Sequence, residues 1–381
     1  MKKILHITNR LVIGGPSRHV AMLANGLQSD YEVMVVGGSA APGEVLALDL
    51  FAGLKNQPIL IPELSRKLCL SRDYKVYRKL RKIIREFQPD IVHTHTSKVG
   101  ALGRLAAKKE GVAKIIHTYH GLIFENYFSG ILNKGIIKLD RYLAGFTHHI
   151  IALSQQQKES LTSLYKITDS NKLSVIPLAL DIDEFQFNKE NRLHFRNQYQ
   201  LKPTDIAIGI IGRLVAIKNL KLFLDGIKYL KVNSKTSFSA FIVGDGFEKE
   251  SLIAYAKEIG LNSNEDVYFT SWLKDLNFVY SGLDIVVLTS LSEGTPMSLM
   301  EAQLAGKAII ASDVGGVADV LADESGVLFD LNKPKSFFNE LLKLMQDDNK
   351  RIQLGNRANE YALKAYNKQN MIDRTAELYN S

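Results

Sequence analysis

The sequence has almost no cysteine, no long apolar run and no tract of biased composition. The single Cys69 among 381 residues excludes an internal disulfide framework and a cysteine-rich zinc site, and it favours a reducing, cytosolic compartment. No uninterrupted apolar run approaches the ~18 residues that span a bilayer, so we expect no integral membrane protein. At the charged start, His6, Asn9 and Arg10 interrupt any signal-peptide core, and we interpret this segment as a first strand.

The charge of the chain is unevenly distributed. Hydrophobic residues make up 46% of the sequence and charged residues 23%, and 381 residues exceed one ordinary core, so we expect two globular domains. Residues 1–180 carry 25 Lys and Arg against 13 Asp and Glu, whereas residues 181–381 carry 23 against 27. The basic half favours an anionic partner, which leaves nucleic acid, a phosphorylated substrate and an acidic membrane surface open.

Short apolar, β-branched runs alternate with helix-period segments along the whole chain. This alternation predicts βα units and parallel sheets. Because the pattern restarts near residue 206, we predict an α/β protein of two tandem doubly wound, Rossmann-like domains that face each other across a cleft, residues 1–180 and 181–381. The final helix, about residues 360–381, either closes the second domain or crosses back to the first. The predicted strands are 3–8, 32–36, 58–61, 90–93, 114–118, 149–153, 173–176, 206–211, 239–243, 266–269, 284–288, 308–311 and 326–328.

Loops that follow strands are the expected ligand sites of such domains. Gly14 and Gly15 follow the first strand and precede a helix, where glycines let a ligand approach the backbone and free amides favour a phosphate. A turn that serves only strand-to-helix geometry explains the pair equally well. Arg213 and Lys218 follow the strand at 206–211 and are suited to a diphosphate, although solvated surface charges explain them too.

The segment 284–302 carries the strongest chemical pattern. A buried strand ends near Ser290, a loop follows, and Thr295 and Pro296 form a predicted N-cap and first helical residue. Glu293 then lies above the strand end and Glu301 one turn inside the helix. Gly294 and Thr295 belong to the loop, and Met297, Ser298 and Leu299 supply the exposed backbone amides at the helix start. Such amides favour the binding of a phosphate.

The order of these motifs resembles that of a known enzyme family. Glu293 and Glu301 have E-x7-E spacing, and the chain adds Gly14-Gly15, Gly212-Arg213, Lys218, a Val-Gly-Asp-Gly segment at 243–246 and an Asp-Val-Gly-Gly-Val segment at 313–317. Together they resemble the retaining glycosyltransferases of the GT-B architecture, group 1 type, which include sucrose synthase and glycogen synthase. The similarity runs from Lys3 to about Gly326 and is nearest to bacterial capsule and exopolysaccharide enzymes.

The resemblance implies a role for each matching residue. It implies that Arg213 and Lys218 bind the donor diphosphate, that Glu293 contacts the donor sugar and that Glu301 binds the ribose. By the same resemblance Gly14 and Gly15 face the diphosphate and the reacting sugar, and the segment with Trp272 and Leu273 recognises the base. At the domain junction Pro177 is followed by Leu178-Ala179 instead of the family's glycine, which removes the expectation of a backbone contact to the ligand there.

Histidines are grouped near two strand ends of the first half. By resemblance His120, in the segment 117–124, is the cleft histidine beside the transferring sugar. His93 and His95 project to one face of a strand, and with His117 they suggest a metal cluster. We interpret the group as non-metallic, because no acidic or cysteine ligand accompanies it at metal-site spacing.

The combined expectation is a retaining, metal-independent transferase without a cofactor. The resemblance implies a nucleotide-sugar donor, with UDP preferred because it is frequent in the family, and an acceptor hydroxyl on a glycan or on a polyprenyl-diphosphate-linked sugar. Nucleic acid is not an expected partner. The transferred group is of hexosyl or N-acetylhexosaminyl type. A basic amphipathic helix at 75–87 suggests a cytoplasmic protein that docks on the inner face of the membrane, although a solvated helix has the same pattern. Two alternatives are a sugar-nucleotide 2-epimerase and a noncatalytic nucleotide-binding partner subunit.

Overall fold

Short, mainly apolar runs form the strands of two parallel sheets, and the central strands are the most completely buried. The computed structural model describes residues 1–41, 44–65, 68–122, 130–322 and 324–381. The chain folds into two compact units. The first consists of Met1–Ala179 together with Lys368–Ser381, and the second of Leu180–Asn367. In each unit the strands are followed by helices that cover the sheet, so the predicted α/β class with two Rossmann-like domains is confirmed.

The sheet of the first unit has seven described strands in the order β3-β2-β1-β4-β5-β6-β7. Every pairing in it is parallel. Its strands are β1 (Lys3–Arg10), β2 (Glu32–Gly38), β3 (Ile59–Leu60), β4 (Ile91–His95), β5 (Lys114–Thr118), β6 (His149–Ala152) and β7 (Leu173–Val175). All seven lie where the sequence predicts them.

The sheet of the second unit has six described strands in the order β10-β9-β8-β11-β12-β13, again parallel throughout. Its strands are β8 (Ile206–Ile211), β9 (Phe238–Val243), β10 (Val267–Ser271), β11 (Ile285–Leu288), β12 (Ala308–Ser312) and β13 (Val327–Phe329). Strands β8, β11 and β12 are buried along their whole length, which is why their sequences are continuous apolar runs without alternation.

Helices cover both sheets. Those of the first unit are α1 (Gly15–Leu27), α2 (Leu70–Phe87), α3 (Ser97–Lys109), α4 (Gly130–Gly145) and α5 (Gln155–Glu159). Those of the second unit are α6 (Ile182–Phe185), α7 (Lys189–Gln198), α8 (Leu220–Asn233), α9 (Lys249–Glu258), α10 (Leu276–Gly282), α11 (Met297–Leu304), α12 (Val317–Val320), α13 (Pro334–Gln346) and α14 (Asp348–Ala365). Among the described residues, no helix combines the length and the apolar composition needed to cross a membrane.

The last helix, α15 (Lys368–Asn380), belongs to the first unit. It packs against α1, where Ile372 fills the space beside Gly26, and its Arg374 donates a hydrogen bond of 2.8 Å to the carbonyl of Val175. The preceding helix α14 still packs on the second unit, because Gly355 lies against the backbone of Gly306. The chain therefore returns to the first unit at Lys368 and not at about residue 360.

Candidate functional site

The strand order of the second sheet reverses between β8 and β11. From β8 the chain proceeds outward through β9 and β10 on one side, and from β11 it proceeds through β12 and β13 on the other. At such a switch point the loops after the two central strands diverge and leave a crevice at the carboxyl edge, where α/β proteins bind ligands. The loop after β8 carries Arg213 and Lys218, and the loop after β11 carries Glu293.

Lys218 and Glu293 meet across this switch point. The ammonium Nζ of Lys218 lies 2.5 Å from Oε1 of Glu293, and the hydroxyl of Ser290 donates to the same oxygen at 2.6 Å. The two loops are also joined through their backbones, since the amide of Leu291 donates to the carbonyl of Ile217 at 2.8 Å. Both charged side chains are only partly exposed, 20% for Lys218 and 12% for Glu293, so the pair is shielded from bulk water.

Two glycines allow the loops around this pair to pack backbone against backbone. A Cβ at Gly244, where φ is +143°, would lie 1.9 Å from the carbonyl oxygen of Gly212. A Cβ at Gly315, where φ is +51°, would lie 1.9 Å from the carbonyl oxygen of Glu293. Any other residue at these positions would push the neighbouring loop away. The Val-Gly-Asp-Gly and Asp-Val-Gly-Gly-Val segments therefore support the loops that carry the charged residues.

Arg213 has an exposed side chain beside this site. Within the described part of the chain no ion pair of Arg213 is recorded, in contrast to Lys218. Its guanidinium is consequently available for an anionic ligand.

The helix that follows Glu293 begins one residue later than predicted. Gly294 and Thr295 form the partly exposed link to it, and the N-cap is Pro296, not Thr295, which makes no side-chain capping bond. The amide of Leu299 donates to the carbonyl of Pro296 at 3.1 Å within the first turn, so in this structure it is already hydrogen-bonded. The amides of Met297 and Ser298 remain as the donors at the helix start.

Glu301 is buried inside α11, with 5% of its surface exposed. Its Oε2 accepts a hydrogen bond of 2.7 Å from the hydroxyl of Tyr280, a residue of α10 that sequence reasoning missed. This bond fixes one oxygen of the carboxylate. Trp272 and Leu273 follow β10, at the same edge of the sheet; Trp272 is 40% exposed and Leu273 is partly exposed.

The corresponding switch point of the first sheet lies between β1 and β4. Gly14 follows β1 as the N-cap of α1, and Gly15 is the first residue of the helix. A Cβ at Gly14 would meet nothing within 4 Å, so the backbone there faces open space. This is the accessibility that a ligand-contacting loop requires.

The same edge of the first sheet gathers a group of buried and partly buried imidazoles, which we call the histidine cluster: His6, His19, His93, His95 and His120. His117 is the register partner of Thr94 and lies on the other face of the sheet, where its Nδ1 is 2.8 Å from the Thr94 hydroxyl, so it does not join His93 and His95 as the sequence suggested. His6 and His93 are register partners on β1 and β4, and the rings of His93 and His95 stack at 4.2 Å. His120 hydrogen-bonds His95 at 3.2 Å. Ile123 and Phe124, the end of the predicted segment, lie outside the described residues.

Burial keeps the cluster uncharged. Desolvation, followed by the charge of His19, lowers the pKa of His6 to about 3, and desolvation lowers the pKa of His19 to about 4. Burial holds the pKa values of His95 and His120 well below the ordinary range. At neutral pH these rings are therefore neutral imidazoles, each with one N–H group.

Sequence reasoning missed His6 and His19. His6 could have been found because it pairs with His93 on the neighbouring strand and so lies on the same face of the sheet. His19 could have been found because it lies on the buried side of α1. Ring nitrogens of His19, His95 and His120 lie within 4.8 Å of one another, as do those of His6, His93 and His95. An all-imidazole group can bind a metal without an acidic ligand, so the absence of carboxylates was an incomplete criterion.

Two Rossmann-like units in one chain, each built on a fully parallel sheet, are characteristic of the GT-B class of proteins. The sequence profile described as "Glycosyl transferases group 1" matches residues 191–361, and that described as "Glycosyltransferase Family 4" matches residues 13–184. The chain is 32% identical to the UDP-Gal:alpha-D-GlcNAc-diphosphoundecaprenol alpha-1,3-galactosyltransferase of Escherichia coli over 324 residues, which covers 84% of this chain and 82% of the relative. The chain therefore belongs to the group 1 glycosyltransferases, and the predicted family is confirmed.

Other relatives agree with this assignment. The capsular polysaccharide biosynthesis glycosyltransferase CapM of Staphylococcus aureus is 22% identical over 84% of this chain and 83% of its own length. Among solved structures, Alr3699/HepE of Anabaena in complex with UDP superposes with a TM-score of 0.80 at 19% identity, over 100% of both chains. A structure at this identity supports the fold alone, and the fold is the predicted GT-B.

Proposed function

We propose that this glycosyltransferase moves a sugar from a UDP-sugar to a hydroxyl of a polyprenyl-diphosphate-linked glycan during synthesis of a bacterial surface polysaccharide. The contact between Lys218 and Glu293 carries the proposal. It brings an ammonium group, which suits a diphosphate, beside a carboxylate, which suits the hydroxyls of the attached sugar, at a ligand-binding edge.

The departing diphosphate is stabilised by the chain's own positive groups. Lys218 and the exposed Arg213 supply two cations, and the amides of Met297 and Ser298 add the positive end of α11. We therefore propose that transfer requires no metal ion.

We propose that the configuration at the sugar carbon is retained. Glu293 is engaged by both Lys218 and Ser290, which lowers the nucleophilicity of its carboxylate and suits it to binding. The acceptor oxygen then attacks from the face that the diphosphate leaves: the new bond to the anomeric carbon forms as the carbon–phosphate oxygen bond breaks. The departing phosphate oxygen takes the proton of the acceptor hydroxyl.

The printed names of similar proteins support the choice of donor and acceptor. The Escherichia coli relative is named for UDP-Gal and for a GlcNAc-diphosphoundecaprenol acceptor. The Anabaena protein has also been crystallised with UDP-glucose. For this chain we propose a uridine donor, a hexosyl or N-acetylhexosaminyl group and a lipid-linked acceptor.

A lipid-linked acceptor places the enzyme at a membrane, and the surface of the first unit suits docking there. Lys75, Arg78, Lys82 and Arg85 are exposed along α2. At the start of the same helix Leu70 is 91% exposed, beside a groove of about 780 Å³. The groove is lined by Leu70, Asp73, Tyr74, Tyr77, Leu102, Leu105, Lys108, Lys109 and Tyr142. Cations next to apolar side chains match anionic headgroups above acyl chains.

Liposome flotation tests the docking surface. Replacing Lys75 and Arg78 with Gln should weaken binding to anionic vesicles about 30-fold, since each cation contributes about 1 kcal/mol at such a surface. Lys333 and Lys335, exposed in the second unit, provide the matched double-Gln control, which should bind as the wild type does. Equal binding of both variants, or no preference for anionic lipid, would remove the docking proposal.

The reaction is tested by incubating the protein with UDP-, GDP- and ADP-sugars, with and without a polyprenyl-diphosphate-linked sugar. Mass spectrometry should detect an extended acceptor and released UDP, and proton NMR should show the anomeric configuration of the donor kept in the product. A new sugar nucleotide without acceptor would indicate an epimerase, and binding without turnover would indicate a noncatalytic subunit. Either result, or an inverted product, would contradict the proposed function.

A further inference from the structure

Both ring nitrogens of His95 are hydrogen-bonded to other imidazoles. Nε2 of His95 lies 3.1 Å from Nδ1 of His6, and Nδ1 of His95 lies 3.2 Å from Nε2 of His120. The three rings thus form a row that starts in the buried first strand at His6 and ends at the partly exposed His120.

The number of protons constrains this row. Each ring is neutral because burial lowers its pKa, and a neutral imidazole has one donor and one acceptor nitrogen. His95 must therefore donate to one neighbour and accept from the other. The two hydrogen bonds consequently run in the same direction, either from His6 towards His120 or from His120 towards His6.

The buried end of the row decides the direction. Nε2 of His6 is buried and has no hydrogen-bond partner among the described residues. If the bonds run towards His120, this nitrogen is a bare acceptor; if they run towards His6, it carries an unpaired N–H. A buried N–H group without an acceptor is rarer, and costs more free energy, than a buried acceptor nitrogen without a donor. We therefore infer that His6 donates to His95 and that His95 donates to His120.

We propose that His6 and His95 are positioning residues that hold His120 in the tautomer with the proton on Nδ1. His120 then accepts from His95 through Nε2 and presents an Nδ1–H donor to a ligand oxygen, such as a sugar hydroxyl or a phosphate oxygen. The identity of that ligand rests on the proposed function, whereas the tautomer does not. Free imidazole side chains in water favour the proton on Nε2, so the prediction opposes the default.

A metal ion is the competing use of the same atoms. His19 has two buried nitrogens without a recorded partner, and its ligand atom lies within 4.8 Å of those of His95 and His120. A dication there would take the place of the hydrogen bond between His95 and His120. The hydrogen-bonded row uses both ring nitrogens of His95, so a metal at this place and the row exclude each other, and the addition of EDTA distinguishes the two uses.

The experiment is nitrogen-15 NMR of the full chain labelled at histidine, at pH 7.5, without any sugar nucleotide. The signal of His120 is assigned as the one lost in His120→Gln. We expect the protonated-nitrogen shift at Nδ1 and the unprotonated shift at Nε2. The exposed His194 provides an internal reference for a ring in water, with the opposite pattern.

Two variants of His95 form a matched pair. In His95→Asn the side-chain amide reaches the place of Nδ1 and can still donate to His120, so the tautomer of His120 should be kept. In His95→Gln the amide reaches the place of Nε2, towards His6, so His120 should shift to the Nε2-protonated form. If either variant fails to fold by circular dichroism, the wild-type spectrum still decides the tautomer.

Several results would overturn the proposal. They are an Nε2–H tautomer of His120 in the wild type, the same tautomer in His95→Asn and His95→Gln, and a change of the His120 signals when EDTA is added to the purified protein, which would reveal a bound metal. None of these measurements requires sugar transfer. The proposed function can therefore be contradicted while the tautomer of His120 is confirmed, and the tautomer can be contradicted while the proposed function is confirmed.

Discussion

The carbonyl oxygen of Glu293 occupies the space in which a Cβ of Gly315 would sit, 1.9 Å from the ideal Cβ position. The two loops are also joined by a hydrogen bond of 3.3 Å from the amide of Gly316 to the same carbonyl. The loop after β12 is thus a support for the loop after β11. The conformation of Glu293 depends on a glycine that touches no substrate in the proposed mechanism.

Gly315→Ala should therefore impair donor binding without unfolding the protein. The methyl group would displace the carbonyl of Glu293 and move its carboxylate away from Lys218, so we expect the affinity for UDP-sugar, measured by calorimetry, to fall about tenfold or more. Gly135→Ala is the matched control, because a Cβ at that helical position meets nothing within 4 Å. If Gly315→Ala binds as tightly as the control, the supporting role is excluded.

Lys218→Met should reduce turnover by about 100-fold or more, because it removes a positive group that stabilises the departing diphosphate. Lys218→Arg keeps the charge and should retain a larger share of activity. Glu293→Gln should also be strongly impaired, and the double variant should be less impaired than the product of the two single effects, since the residues are in contact. Strictly multiplicative losses of kcat/KM would show that the pair does not act as a unit.

Glu301→Gln should lose selectivity for the ribose. If the carboxylate binds a ribose hydroxyl, the wild type should bind UDP more tightly than 2′-deoxy-UDP, and the variant should bind both nearly equally, as measured by calorimetry. Tyr280→Phe removes the bond that positions Glu301 and should reduce the preference by about 1 kcal/mol. An unchanged preference in Glu301→Gln would assign the ribose contact to another residue.

The first unit should lose stability in mild acid. Burial lowers the pKa of His19 from 6.5 to about 4. Between these two pH values His19 is therefore protonated in the unfolded chain and neutral in the folded chain. The free energy of unfolding should fall as the pH drops from 6.5 to about 4, by up to about 3 kcal/mol for this group. Urea unfolding followed by circular dichroism measures the slope.

His19→Leu should reduce the slope of the unfolding free energy against pH by the equivalent of about one bound proton, because the variant lacks the imidazole that takes up that proton on unfolding. The fluorescence of Trp272, the single tryptophan of the chain, reports on the second unit, and its transition should keep the same pH dependence in the variant. A slope by circular dichroism that is identical in wild type and variant would mean that His19 is protonated equally in the folded and unfolded chains.

Much of the fold could be predicted from local pattern. The strands were placed within a few residues, because buried parallel strands are continuous apolar runs between glycine-rich or polar loops. The start of α11 was misplaced by one residue, since a helix end depends on which carbonyl Leu299 reaches and not on composition. The return of the chain at Lys368 depended on the packing of Gly355 against Gly306, which no local pattern reports.

The sequence by itself determined which segments form the parallel strands and which loops carry the candidate ligand-binding residues, because the carboxyl ends of parallel strands all lie at one edge of the sheet. Only the tertiary structure decided which residues of those loops meet. The pairing of Lys218 with Glu293, the bond from Tyr280 to Glu301 and the row from His6 through His95 to His120 all join residues that are far apart along the chain. Such contacts follow from strand register and from the close approach of loop backbones, which are long-range properties of the packed protein.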